Sequence, residues 1–184
     1  MTTFQMDLAD RWLVVPLGDA DAVAHWPADL GSEPRYEDPD DVEHLLDAAR
    51  RVAEIPADDT LAVRLLYLPD PPFHPVFTDL HELVAEGEAD ERLPALITVE
   101  DNERGPRTPE KVELGEGAAA YRSIGAVPGP WEEDTAIPQF LCCHALRRGG
   151  IDVLARTWLG PDPRILTEVI TPLETMLASL QIDS

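Results

Sequence analysis

Lysine occurs once in these 184 residues, at Lys111, and arginine supplies the other 13 basic side chains against 36 aspartates and glutamates. The formal net charge is −22. A field of that sign repels phosphate backbones and anionic lipid surfaces, so nucleic acid and membranes are excluded as expected partners and a basic protein is the partner it would steer. Cysteine is nearly absent too. Cys142 and Cys143 are adjacent, which rules out an ordinary framework disulfide between them and fits a reducing compartment. No run of about 18 apolar residues exists. The opening MTTFQMDLADRWLVVPL has neither a basic leader nor a signal-peptide core, and the chain reads as a soluble, cytoplasmic protein. Scarce lysine beside abundant Ala, Asp, Glu, Pro and Arg is the usage expected of a GC-rich bacterial genome.

Motifs of high specificity are also missing. Gly115-Glu116-Gly117 and Gly149-Gly150 lack the following lysine and the strand-to-helix setting of a phosphate loop. The acidic stretch holding Glu33, Glu37, Asp38, Asp40 and Asp41 lacks the central glycine and closing glutamate of a calcium loop, so solvation and helix capping account for it. His74 and His81, with Asp79 and Glu82, are the one histidine–carboxylate grouping. Their spacing fits two turns of a helix, but Pro75 interrupts the first turn and no recognised metal-site spacing results. No metal and no cofactor are expected. Cys142-Cys143-His144 invites a thiol–imidazole reading, since an adjacent imidazolium lowers a thiol pKa. On a strand, however, only Cys142 and His144 share a side, and buried cysteine is the commoner state.

What the chain does contain is 44% hydrophobic residues, ample for one core, and a single domain over 1–184 is expected. Phe4, Met6 and Leu8 alternate, and Trp12 to Leu17 is apolar, which predicts a hairpin or two short strands. Asp19 to Trp26 fits a short helix capped by Asp19, followed by a loop from Pro27 to Asp41. Val42, Leu45, Leu46, Ala49, Val52 and Ala53 then mark a helix closed by Pro56. Leu61 to Leu68 reads as a strand, Phe73 to Glu86 as a strand leading into a short helix, and Leu96 to Val99 as another strand. From Lys111, VELGEGAAAYRSIGAV is an extended strand interrupted at Gly115 and Gly117. Val127 to Pro138 is loop.

The segment from Phe140 to Ile182 is the most legible. With Gly149-Gly150 as a type I′ turn, Arg148 faces Ile151, Arg147 faces Asp152, Cys143 faces Arg156 and Leu141 faces Trp158. Asp162 and Pro163 then open a helix whose stripe is Ile165, Leu166, Val169, Ile170, Leu173, Met176, Leu177 and Leu180, either kinked or restarted at Pro172. Phe140, Leu146 and Val153 on one face of the hairpin and Leu141, Leu154 and Trp158 on the other require cover on both sides. The fold class is α+β, an α/β/α sandwich around a mainly antiparallel sheet.

The order of parts, with its opening FxMxLxxxW strands, its glycine-interrupted VELGEGAAAYR and its final hairpin and helix ending in LASLQI, resembles the PsbP-like fold. Within it, the chain resembles the small actinobacterial LpqN-like proteins. That resemblance implies a non-enzymatic adaptor that binds other proteins and carries over no functional residues. The chain departs from the lipoprotein members in lacking a lipobox cysteine, which sets a cell-envelope role in doubt.

Acidic loops bearing Trp26, Tyr36, Phe73 and Trp131 suit an interface with rigid aromatic anchors and electrostatic guidance. The dull alternative is that Trp26 and Trp131 anchor loops onto the core. The reading is an acidic protein-binding module: an accessory factor, chaperone or inhibitor of a basic partner. A small-ligand binder or enzyme using the cavity between sheet and helix, with Cys142 and His144, is the competing class. An immunity protein against a toxin shares the same charge signature.

Overall fold

The computed structural model describes residues 2–18, 20–30, 39–69, 76–98, 107–115, 118–128 and 139–183. Among them are nine strands and four helices: β1 (Thr3–Gln5), β2 (Trp12–Val15), α1 (Ala20–Leu30), α2 (Pro39–Ala53), β3 (Leu61–Tyr67), β4 (Val76–Val84), α3 (Ala89–Ile97), β5 (Glu110–Lys111), β6 (Ala120–Val127), β7 (Gln139–Arg148), β8 (Ile151–Trp158), α4 (Ile165–Ser179) and β9 (Gln181–Asp183). Seven strands form one antiparallel sheet in the order β2-β3-β4-β8-β7-β6-β5, and β1 pairs with β9 in a separate ribbon. The class is α+β, as the sequence implies.

Successive strand residues face opposite sides, so the sheet buries two apolar faces and needs two covers. On one face α4 lays Val169, Leu173, Met176 and Leu177 over Leu65, Val76, Leu80, Ala120, Cys142, Leu146, Val153 and Ala155. On the other, α2 packs Leu45, Ala49 and Val52 against Val15, Leu66 and Phe77. Beside it, α3 packs Leu93 and Ile97 against Leu141, Cys143 and Ala145. Trp158 touches both of these clusters, so α2 and α3 share one layer. The α/β/α sandwich follows from the hairpin's two apolar faces.

The β7–β8 register is the expected one: Leu141 opposite Trp158, Cys143 opposite Arg156, Arg147 opposite Asp152 and Arg148 opposite Ile151. Gly149 and Gly150 have φ of 56° and 79°, the positive pair that a type I′ turn requires and that glycine adopts without a Cβ clash. Arg147 also donates two hydrogen bonds to Asp152, so the cross-strand pair near the turn is a bidentate ion pair.

Several expectations need correction. Of the strand expected from Leu96 to Val99, Leu96 and Ile97 are instead the end of α3 and Val99 lies outside the described residues: Leu93 and Ile97, one helical turn apart, dock α3 on the sheet, with Asp90 and Glu91 in its first turn favouring the helix dipole. The segment after β4 likewise holds no helix before α3, for β4 itself runs to Val84. α1 continues past Pro27 to Leu30 and α2 starts at Pro39, so Asp40 lies inside the first turn rather than capping it. Asp19 lies outside the described residues. Asp162 accepts from the backbone N–H of Arg164 at 2.9 Å, but three successive i→i+3 bonds follow, and the α-helix proper begins at Ile165. α4 runs unbroken through Pro172. The stripe ends at β9, where Ile182 turns from helix to strand to pair with Phe4.

Candidate functional site

Burial decides what the thiol–imidazole pair can do. Cys142 and His144 point from β7 to the α4 face, with Cys142 Sγ 3.8 Å from His144 Nδ1. His144 Nε2 lies 3.2 Å from Glu174 Oε1, which comes down from α4. Glu174 also accepts from Arg122 Nη1 at 2.7 Å, and Arg122 Nε donates to Glu110 at 2.8 Å. The order thiol, imidazole, carboxylate is that of a nucleophilic triad. Its electrostatics are the opposite. Cys142 and His144 are fully buried. Burial is the largest influence on both, pushing the thiol pKa well up and the imidazole pKa down. Moving the proton from Sγ to Nδ1 would create two charges in an apolar layer sealed by α4. The neutral arrangement fits every partner: with the ring proton on Nε2, the ring donates to Glu174 and Nδ1 is left to accept from the thiol. The hydrogen bond from His144 is the leading cause that holds the Glu174 carboxyl below its ordinary range. This set works as a polar staple between α4 and β5–β6–β7.

The opposite face carries a polar row in cross-strand register, Arg64, Asp79, Arg156, Cys143 and Ser123, contributed by β3, β4, β8, β7 and β6. Arg64 Nε and Nη2 grip Asp79 at 2.6 and 2.9 Å, and Nη1 donates to the carbonyls of Val52 and Ile55 at the end of α2. Ser123 Oγ donates to the Ile97 carbonyl at 2.9 Å and holds the end of α3. Arg107 Nη1 donates to Cys143 Sγ at 3.3 Å, and the Arg156 guanidinium sits 6.0 Å from the centre of the Trp158 ring. Sequence reasoning missed Arg107 and Glu174. The one accessible signal was the register of Arg156 beside Cys143.

His81 stands on β4 rather than on a helix, with Nδ1 3.0 Å from Thr60 Oγ1 and 3.6 Å from Asp58 Oδ1. Burial first of all lowers its pKa. His74 lies outside the described residues. Asp79 is engaged by Arg64, and Glu82 accepts from the Thr2 hydroxyl at 2.8 Å, so the described members of the grouping, Asp79, His81 and Glu82, do not converge. Among the described residues, no three His, Cys, Asp or Glu side chains come together as a metal site. Of the proposed aromatic anchors, Trp26 lies on α1, partly buried against the α2 cluster. Tyr36, Phe73 and Trp131 lie outside the described residues, as does most of the acidic stretch from Glu33.

No protein-family model and no curated protein matches this chain. Its structure is similar to the crystal structure of LpqN, involved in cell envelope biogenesis of Mycobacterium tuberculosis, with a TM-score of 0.51 and 11% identity. The alignment covers 100% of this chain and 85% of that one. The fold is LpqN-like. At that identity the likeness concerns the path of the chain and carries over no site. No helix among the described residues is long and apolar enough to cross a membrane.

Proposed function

We propose that this chain is a non-enzymatic, acidic protein-binding module of PsbP-like architecture, an adaptor or inhibitor whose partner presents a basic surface. The observation that supports it best is where the cations go. Arg64, Arg92, Lys111, Arg122, Arg147 and Arg164 are each held in an ion pair within the molecule. Six of the 14 basic side chains are thus neutralised within the molecule, and with 36 acidic side chains the outward field is anionic.

A groove of about 420 Å³ at the ends of β3 and β4 shows that character locally. Asp59 and Glu82 line it with Leu61, Val84 and Ile151, and no basic side chain does. Val84 is 77% exposed there. Two carboxylates beside an uncovered valine suit an arginine or lysine of the partner, whose aliphatic stem would cover the apolar surface while its head meets the acids. Trp26, Tyr36, Phe73 and Trp131 are the proposed aromatic contacts. The sealed state of Cys142 and His144 weighs against the competing catalytic reading. A bacterial, cytoplasmic adaptor that serves cell-envelope biogenesis, the process in which LpqN is involved, is the setting we propose. An immunity protein against a basic toxin is the inhibitor form of the same activity.

The test is retention of a partner from source lysate at low and high salt, followed by titration of the purified partner against Asp59→Asn/Glu82→Gln, Trp26→Ala and Trp131→Ala variants. The expected partner is basic and binds more slowly as salt rises, because charge guidance acts mainly on association. Binding that ignores both salt and the carboxylate substitutions would overturn the reading.

A further inference from the structure

We propose that the sheet face beneath α2 and α3 holds a binding site for a small oxyanion, a carboxylate or phosphate group, between the guanidinium groups of Arg107 and Arg156.

Arg156 makes no hydrogen bond or ion pair among the described residues. Its guanidinium lies 6.0 Å from the centre of the Trp158 ring and acts electrostatically on His81 and Cys143, none of which is a counter-charge gripping it. The carboxylate nearest in register is Asp79, and Arg64 already occupies both of its oxygens. Arg107 donates to a thiol, a weak acceptor, and its Nε is buried without an acceptor among the described residues. The other arginines packed against the sheet have stronger acceptors: Arg92 and Arg147 have Asp152, Arg122 has Glu110 and Glu174, and Arg148, whose Nε is also without a partner among the described residues, donates through both Nη atoms to the carbonyls of Leu114 and Leu180. Among the described residues, no carboxylate answers either of these two guanidinium groups on one face. Partly desolvated charge without a counter-charge is unfavourable, and an anion supplies the missing partner.

Both groups act on Cys143. Cys143 faces Arg156 across the β7–β8 ladder and receives Arg107 on its sulfur. Both arginines are partly exposed, so a solute can reach them. Trp158 lies under the Arg156 guanidinium and orients it. Gly125 opens the place for Arg107, because a Cβ there would overlap the Arg107 stem. His81 adds a third polar group on the same face: it is 7% exposed and its Nε2 has no partner among the described residues. A guanidinium is the group best shaped to grip a carboxylate or phosphate through two parallel N–H bonds. The overall charge opposes any anion, but it is screened beyond about 8 Å at physiological ionic strength, while the arginines act at contact.

The experiment follows the Nε–H signals of Arg107 and Arg156 by NMR while inorganic phosphate, or separately acetate, is titrated into the protein with chloride adjusted to constant ionic strength. A saturable shift of both signals is expected, with affinity reduced about tenfold or more in Arg156→Gln, since a hydrogen bond to a charged group is removed. Arg156→Lys keeps the charge and loses the fork, and Gly125→Ala displaces Arg107 while both guanidinium groups remain. Each should weaken binding in a folded protein. Arg50→Gln, on the exposed end of α2, should change nothing. Saturation by phosphate alone or by acetate alone identifies which oxyanion the site takes. Shifts that stay linear for both anions, or saturation indifferent to Arg156→Lys and Gly125→Ala, would overturn the proposal.

Discussion

At the scale of the residue, burial overrides the chemistry suggested by neighbouring names. Cys142 and His144 meet as their shared side of β7 predicts, yet the layer that brings them together also keeps both neutral. Two outcomes follow. Native protein should show no thiol that reacts quickly with a disulfide reagent, while denatured protein shows two, from Cys142 and Cys143. A fast-reacting native thiol would mean that α4 does not seal the site. The second outcome concerns pH. His81 and His144 both have folded-state pKa values below the ordinary imidazole range, mainly through burial, so on acidification the unfolded chain takes up protons before the folded one does. Their contribution to stability is present above the imidazole range and is lost as pH falls through it. Asp58 and Glu174, held low by hydrogen bonds, extend the same trend further into acid. The urea midpoint should therefore drop between roughly pH 7.5 and pH 5.5, and His144→Gln should flatten the drop. A midpoint constant over that interval would show that neither ring is held neutral.

At the scale of the element, legibility tracked how local the determining signal was. The β7–β8 hairpin could be read to the residue because a two-residue period and a Gly-Gly turn fix its register with no help from elsewhere. α3 could not. Nine residues with Pro94 inside them carry little helical signal, and what holds them is the docking of Leu93 and Ile97 on a sheet completed 50 residues later. β9 was equally hidden, since Ile182 continues the apolar stripe of α4 and becomes a strand only by pairing with Phe4 at the other end of the chain. The same division applies to sites. Cys142 and His144 are two residues apart and were visible; Arg107 reaches Cys143 across 36 positions and was not. For α4 the stripe was readable, and its centre makes a quantitative test. Leu173 is fully buried between the helix and the sheet, so Leu173→Ala should destabilise the protein by about 2–5 kcal/mol through lost transfer energy and the cavity left behind. A urea midpoint equal to that of wild type would show α4 to be peripheral.

At the scale of the whole molecule, the charge of −22 acts on stability and on association in opposite directions. Within the fold, ion pairs such as Arg64–Asp79 and Arg147–Asp152 grip buried carboxylates at short range, where added salt screens little. The surplus carboxylates repel one another through solvent, where salt screens strongly, and that repulsion favours the expanded chain. Raising the concentration of sodium chloride should thus raise the thermal midpoint of the isolated protein. The same screening removes the guidance that brings a basic partner to the acidic surface, so the association rate should fall over the same range. Measured on one preparation, the two curves should slope in opposite senses. A thermal midpoint that falls with salt would mean that favourable exposed ion pairs outweigh the repulsion, and the protein would then lack the unbalanced acidic surface on which the adaptor reading depends.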